Sequence, residues 1–127
     1  MKTPQGSNKV FITATYGPAN PERCPGAFLF AQEAANSGAD VSLCFILQAP
    51  LLLKKGVAET LFAKEGGRTI REFIDDTFQA GVQFFVCDAA LELCDMTADD
   101  LIEEIDHMVG PSFVIREGLE ADLVLNF

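Results

Sequence analysis

Four cysteines and a single histidine carry most of the chemistry that can be read in this chain. Cys87 leads them because it closes the apolar run Val82-Gln83-Phe84-Phe85-Val86-Cys87, and Ala89 to Leu93 then reads as a helical turn. A thiol at the carboxyl end of a buried strand stands where reactive groups gather in open α/β sheets, with the amides of the next helix turned toward it. That setting favours the thiolate, the form that attacks sulfur or a carbonyl carbon, while the adjacent Asp88 opposes it. The competing reading is a buried cysteine acting as a small hydrophobe, which is the commoner use of the residue.

Cys24 lies in the loop after the first strand, and in a parallel sheet that loop leaves on the same side as Cys87. It is therefore a candidate second thiol, with a passive loop cysteine as the alternative. Cys94 is another candidate, seven residues after Cys87 and so outside the Cys-x-x-Cys spacing of redox centres and zinc knuckles. Cys44, between Leu43 and Phe45, reads as inert packing. His107 stands alone, and a site built from Cys24, Cys87, Cys94 and His107 would need three loops to converge, so no metal site is expected. No dinucleotide or Walker signature is present. Thr13, Thr15 and Tyr16 suggest a flavin-phosphate loop, but Pro18, Pro21 and Pro25 remove the amide donors it would depend on, and no organic cofactor is expected. A Ser/His/Asp set is also missing, because no serine stands in a nucleophile elbow.

The elements that must position these residues follow from apolar runs and their punctuation. Val10 to Tyr16 reads as a buried first strand ended by Gly17-Pro18. Ala27, Phe30, Ala31, Ala34 and Ala35 then recur at helical spacing up to Ser37-Gly38. Residues 40–47 form a second strand, and the short return makes a right-handed βαβ unit with parallel strands. Residues 51–64 read as an interrupted helix ended by Gly66-Gly67. Thr69 and Glu72 form a capping box for a helix whose buried stripe is Ile70, Phe73, Ile74, Thr77 and Phe78, stopped by Gly81 before the strand that ends in Cys87. A second box at Thr97 and Asp100 opens a helix expected to run to Ile105. Residues 106–109 read as a short edge strand. Pro111 opens a helix through Glu120, although Phe113-Val114-Ile115 also fits a strand, and residues 122–127 form the last strand. The result is one α/β domain over 1–127, a three-layer α/β/α sandwich, with 1–8 expected to be flexible.

The composition narrows the function classes. At 127 residues the chain builds one core, and 49% hydrophobic residues with eleven Phe is rich for that size, which points to apolar surface shared between subunits. Nine basic against nineteen acidic residues give a net charge of −10, which repels phosphate backbones and anionic lipid, so neither nucleic acid nor membrane is an expected partner. No stretch reaches the length of a membrane helix, since Gln48, Pro50 and Lys54 break the most apolar one. The polar start, without an apolar leader segment, makes the cytoplasm the expected location and free thiols the expected state of the cysteines.

Taken together, the chain from Val10 to Phe127 resembles the DsrE/DsrF/YchN family, including its members labelled peroxiredoxin-like. The resemblance rests on the helix carrying Phe30-Ala31, Gly38-Ala39-Asp40-Val41 leading into the second strand, Leu52-Leu53-Lys54-Lys55-Gly56, Gly81 to Cys87, and the ending Ala121 to Phe127. The family pattern has a glycine shortly after the third-strand cysteine where Asp95 stands here, and Asp tolerates a left-handed turn. The resemblance implies a mainly parallel five-stranded sheet of the DsrEFH kind and homo-oligomers from dimer to hexamer. It also implies sulfur relay without a cofactor, with a persulfide on Cys87 passed to a small sulfur-carrier protein. Two other readings stay open: a non-catalytic oligomeric or ligand-binding module, and a thiol peroxidase that would pair Cys87 with Cys24 or Cys94.

Overall fold

The structure is a computed structural model that describes residues 8–105 and 107–127. Five parallel strands, β1 (Lys9–Ala14), β2 (Asp40–Phe45), β3 (Gln83–Cys87), β4 (His107–Val109) and β5 (Leu123–Asn126), lie in the order β4-β3-β2-β1-β5. The three inner strands are buried on both faces, which explains why they are apolar without alternation. Helices α1 (Pro25–Asn36) and α2 (Ile70–Gln79) cover one face. The short α3 (Asp88–Leu93) follows β3 directly, and α4 (Pro111–Glu120) covers the opposite face. The expected three-layer sandwich and parallel five-stranded sheet are what forms.

The main core lies under α1 and α2, where Val10, Ile12, Leu43, Phe45, Phe84 and Val86 meet Phe28, Ala31, Ile70 and Ile74. Thr69 caps α2 as its spacing predicts, accepting the Glu72 amide at 3.2 Å, and Gly81 follows the helix at φ +95°, a conformation that costs a side chain dearly. Thr77 is fully buried in this helix yet satisfied: its hydroxyl donates to the Phe73 carbonyl at 2.7 Å and accepts from the Gln32 amide at 2.9 Å.

Several local expectations are corrected. Phe28, not Phe30, enters the core from α1; Phe30 is 54% exposed and leans on the Phe127 ring, 5.2 Å away. Phe78 is exposed at the end of the α2 stripe. Residues 51–64 form no α-helix but two short 3-10 turns, Ala49–Leu53 and Ala58–Thr60, because the backbone goes extended at Lys54 (φ −70°, ψ 133°) and left-handed at Gly56 (φ +86°). The Thr97 box is made in full, with Asp100 accepting the Thr97 amide at 2.9 Å, yet it caps only the turn Ala98–Asp100. Residues beyond it go instead to the Leu53 turn, where the Ile102 amide donates to the Leu53 carbonyl at 2.9 Å. Residues 111–120 are helical, so the strand alternative at Phe113 falls. Of the start expected to be flexible, Asn8 is tied to β2 through the Asp40 amide at 2.8 Å, and residues 1–7 lie outside the described residues.

The second core is smaller: Phe11, Cys44 and Phe85 on the sheet, under Phe113 and Val114 of α4. Cys44 is packing, as its flanking residues suggest, and burial pushes its thiol from the usual 9.0 up to about 12, with the nearby Cys87 adding to the rise.

Two outcomes follow for stability. Ile74→Ala, emptying a fully buried site between α2 and the sheet, is expected to lower the unfolding free energy by about 2–5 kcal/mol in urea titration. The unfolded chain releases the Cys44 proton near pH 9, well before the folded chain does, so this stabilisation is complete below pH 9 and is lost as pH climbs toward about 12. Urea midpoints across that range should fall less steeply for Cys44→Ala than for the unsubstituted chain; parallel slopes would contradict a buried, protonated Cys44.

Candidate functional site

The site is assembled where β3 ends. In the register of the sheet Cys44 lies beside Phe85 and Phe45 beside Val86, and two residues along a strand return to the same face. Cys87 therefore faces the α4 side, as Phe85 and Cys44 do. Its partner on β4 is Val109, after which Gly110 caps α4 and Pro111 begins it. The chain thus needs only two residues to bring the start of α4 beside the end of β3.

Aromatic contacts at one end and ion pairs at the other seat α4. Phe113 packs on Phe85, ring centroids 4.8 Å apart, and on Phe11 edge-on at 6.5 Å. At the other end of the helix Lys9, on the first residue of β1, reaches Glu117 and Glu120, each at 3.4 Å. The helix runs antiparallel to the strands, with its first turn at the carboxyl edge of the sheet and its last turn at the opposite edge.

Between this first turn, the end of β2 and α3 lies a cavity of about 400 Å³ lined by Ile46, Leu47, Cys87, Ala89, Ala90, Leu93, Pro111, Val114 and Ile115. Apart from the Cys87 sulfur, every lining side chain is apolar. Cys87 is 6% exposed and occupies the N-cap position of α3, with φ −75° and ψ 124°. The expected position at a helix start is met, but the sulfur makes no capping hydrogen bond, and among the described residues no group hydrogen-bonds to it.

The other thiols are placed very differently. Cys94 is half-buried, and its thiol donates to the Leu47 carbonyl at 3.3 Å. Leu47 sits at φ +55°, an uncommon conformation for a residue with a side chain, and the Cys94 bond holds the backbone that carries it into the cavity wall. Burial, with the charge of Asp95, raises the Cys94 pKa. Asp95 itself adopts φ +55°, so the left-handed turn expected at this glycine-like position is present.

Cys24 belongs to the core on the other face of the sheet. Its thiol lies within 3.5 Å of the Asn20 carbonyl, 3.6 Å of Gly17 and 3.7 Å of Tyr16, closing the loop after β1. Burial, and secondarily Glu22, pushes it up to about 11. Cys24 and Cys87 thus leave the same edge of the sheet, as expected, but line different spaces on different faces.

The remaining polar candidates are committed elsewhere. Thr13 donates to the Asn126 side-chain oxygen at 2.7 Å and Thr15 to the Phe127 carbonyl at 2.8 Å, both fastening β5 to β1. Gly17 lies so close to the loop after β2 that an added Cβ would stand 2.5 Å from the Gln48 carbonyl oxygen. His107 stacks on Phe85 at 5.0 Å, extending the second core toward the edge. Among the described residues no three His, Cys, Asp or Glu side chains form a metal-binding group, and no helix is long and apolar enough to cross a membrane.

Sequence reasoning missed the walls of the cavity. Ile46 and Leu47 read as the end of a strand and Pro111, Val114 and Ile115 as a helix start; their only sequence signal was that both segments abut the carboxyl edge of the sheet.

The same fold occurs in the ychN protein from E. coli, with a TM-score of 0.78 and 19% identity, covering 94% of this chain and 99% of that one. It occurs also in MTH1491, a protein of unknown function from Methanobacterium thermoautotrophicum, with a TM-score of 0.62 and 15% identity, covering 94% and 98%. No curated protein matches the chain. The model of the DsrE/DsrF-like family matches residues 8–127, essentially the whole described sheet with Cys87 and α4 included, and the chain belongs to the DsrE/DsrF-like family.

Proposed function

We propose that the protein relays sulfane sulfur as a persulfide on Cys87. The observation that carries this reading is the Cys87 sulfur itself, at a strand end, without a hydrogen-bond partner among the described residues and bordering a cavity of about 400 Å³. Membership in a family associated with sulfur relay supports it.

The chemistry balances without an oxidant, metal or organic cofactor. A Cys87 thiolate attacks the outer sulfur of a donor R–S–SH; the S–S bond of the donor breaks, R–S⁻ leaves and is protonated by solvent, and Cys87–S–SH is formed. An acceptor thiolate then attacks the outer sulfur of Cys87–S–SH, and Cys87 leaves as thiolate, ready for the next cycle. The acceptor in this reading is a small sulfur-carrier protein in the cytoplasm, where thiols stay reduced. A chain with net charge −10 favours a carrier with a basic face, and docking that weakens with added salt.

Self-association is part of the proposal. Ile115 and Leu119 of α4 are 65% and 82% exposed, side by side on the outer surface of the helix that roofs the Cys87 cavity. A second copy of the chain covering them would account for the apolar excess of the composition.

Intact-mass spectrometry after exposure to a persulfide donor should show a gain of one sulfur atom, lost in Cys87→Ser. A gain that survives in Cys87→Ser, or no gain together with a Cys87 inert to alkylation, would sink the relay reading. In sedimentation velocity at micromolar concentration the chain should migrate as an oligomer and Leu119→Glu as a monomer; a monomeric unsubstituted chain would refute self-association through α4.

A further inference from the structure

We infer that the sulfur donor to Cys87 is a small organic persulfide with an uncharged, apolar body, and that oxyanion and carboxylate-bearing donors are disfavoured. The inference rests on the relay reading and deepens it by assigning the class of donor.

The cavity wall carries the argument. A volume of about 400 Å³ admits a body the size of a benzyl group or a short branched chain with the two donor sulfurs. No lysine, arginine or histidine lines it, and neither does any amide, hydroxyl or carboxyl side chain. A donor such as thiosulfate, whose sulfonate carries a permanent charge, would surrender its hydration to Leu47, Leu93, Val114 and Ile115 and find no cation in return. Asp88, next to Cys87 in the chain, adds repulsion toward any anion approaching that edge, on a chain already at net charge −10. An apolar body gains from the same walls, of which Leu47 and Leu93 are 53% and 59% exposed.

The position of the reactive atom fits this class. Cys87 is buried at the inner wall, so the donor must enter with its persulfide end leading and its body filling the space between α3 and the first turn of α4. In the transfer the Cys87 thiolate bonds to the outer sulfur, the S–S bond of the donor breaks, and the thiolate that leaves, R–S⁻, takes a proton from solvent at the mouth.

The test compares the rate of single-sulfur gain on Cys87, by intact mass, for benzyl persulfide generated in place, glutathione persulfide and thiosulfate. Each rate is divided by the rate of the same donor with free cysteine, which removes intrinsic reactivity. The expected result is a normalised preference for benzyl persulfide of about tenfold or more, since burying an uncompensated carboxylate is costlier than the ~1.4 kcal/mol that tenfold represents. Leu93→Lys, which places a cation at the exposed rim without emptying the core, should remove or invert that preference. Equal or reversed normalised rates in the unsubstituted protein overturn the donor assignment and leave sulfur relay standing. No sulfur gain from any of the three donors overturns the donor assignment, and together with a Cys87 inert to alkylation it overturns the relay reading as well.

Discussion

Everything at the site depends on the seating of Phe113. Its ring lies on Phe85 and against Phe11, and with Val114 and Ala121 it closes the second face of the sheet over β1 and β3. Lys9 holds the far end of α4 through Glu117 and Glu120, but these pairs are partly exposed and worth little by themselves. The aromatic contact is what fixes the height of α4 above the sheet. With the helix in place its first turn roofs the end of β3, Cys44 is sealed from solvent and the Cys87 cavity acquires its outer wall.

The four cysteines show how far environment, and not residue type, assigns a role. Cys24 and Cys44 are both buried among hydrophobic side chains, one on each face of the sheet, and burial holds each as a neutral thiol. Cys94 spends its proton on the carbonyl of Leu47 and thereby shapes the wall of a cavity it does not itself line. Cys87 is as buried as Cys24, yet it faces empty space in place of a carbonyl. A sulfur atom in that position has room to gain a second sulfur without displacing the protein around it.

Much of this was legible along the chain. The inner strands, α2 with its Thr69 cap, the helix opened by Pro111 and the placement of Cys87 at a strand end all follow from local patterns: continuous apolar runs, helical spacing and the residues that stop them. The left-handed Asp95 was implied only by the resemblance, whose pattern has a glycine there, and a short polar side chain tolerates that turn. Where local patterns misled, a tertiary contact won. Phe30 has the spacing of a core residue but Phe28 faces the sheet, and the segment after Thr97 leaves its helix to bond with Leu53.

The sequence by itself determined a parallel α/β sheet with one thiol at the carboxyl end of a central strand, since strand burial, turn residues and the end of an apolar run are properties of neighbouring residues. Only the tertiary structure decided what surrounds that thiol. Ile46 and Leu47 from the turn after β2, Leu93 from α3 and Pro111, Val114 and Ile115 from α4 meet at Cys87 because parallel pairing aligns the strand ends and the last crossover returns over the opposite face. Contacts between segments so distant in the chain leave no periodic trace in it, and the cavity at Cys87 is made of nothing else.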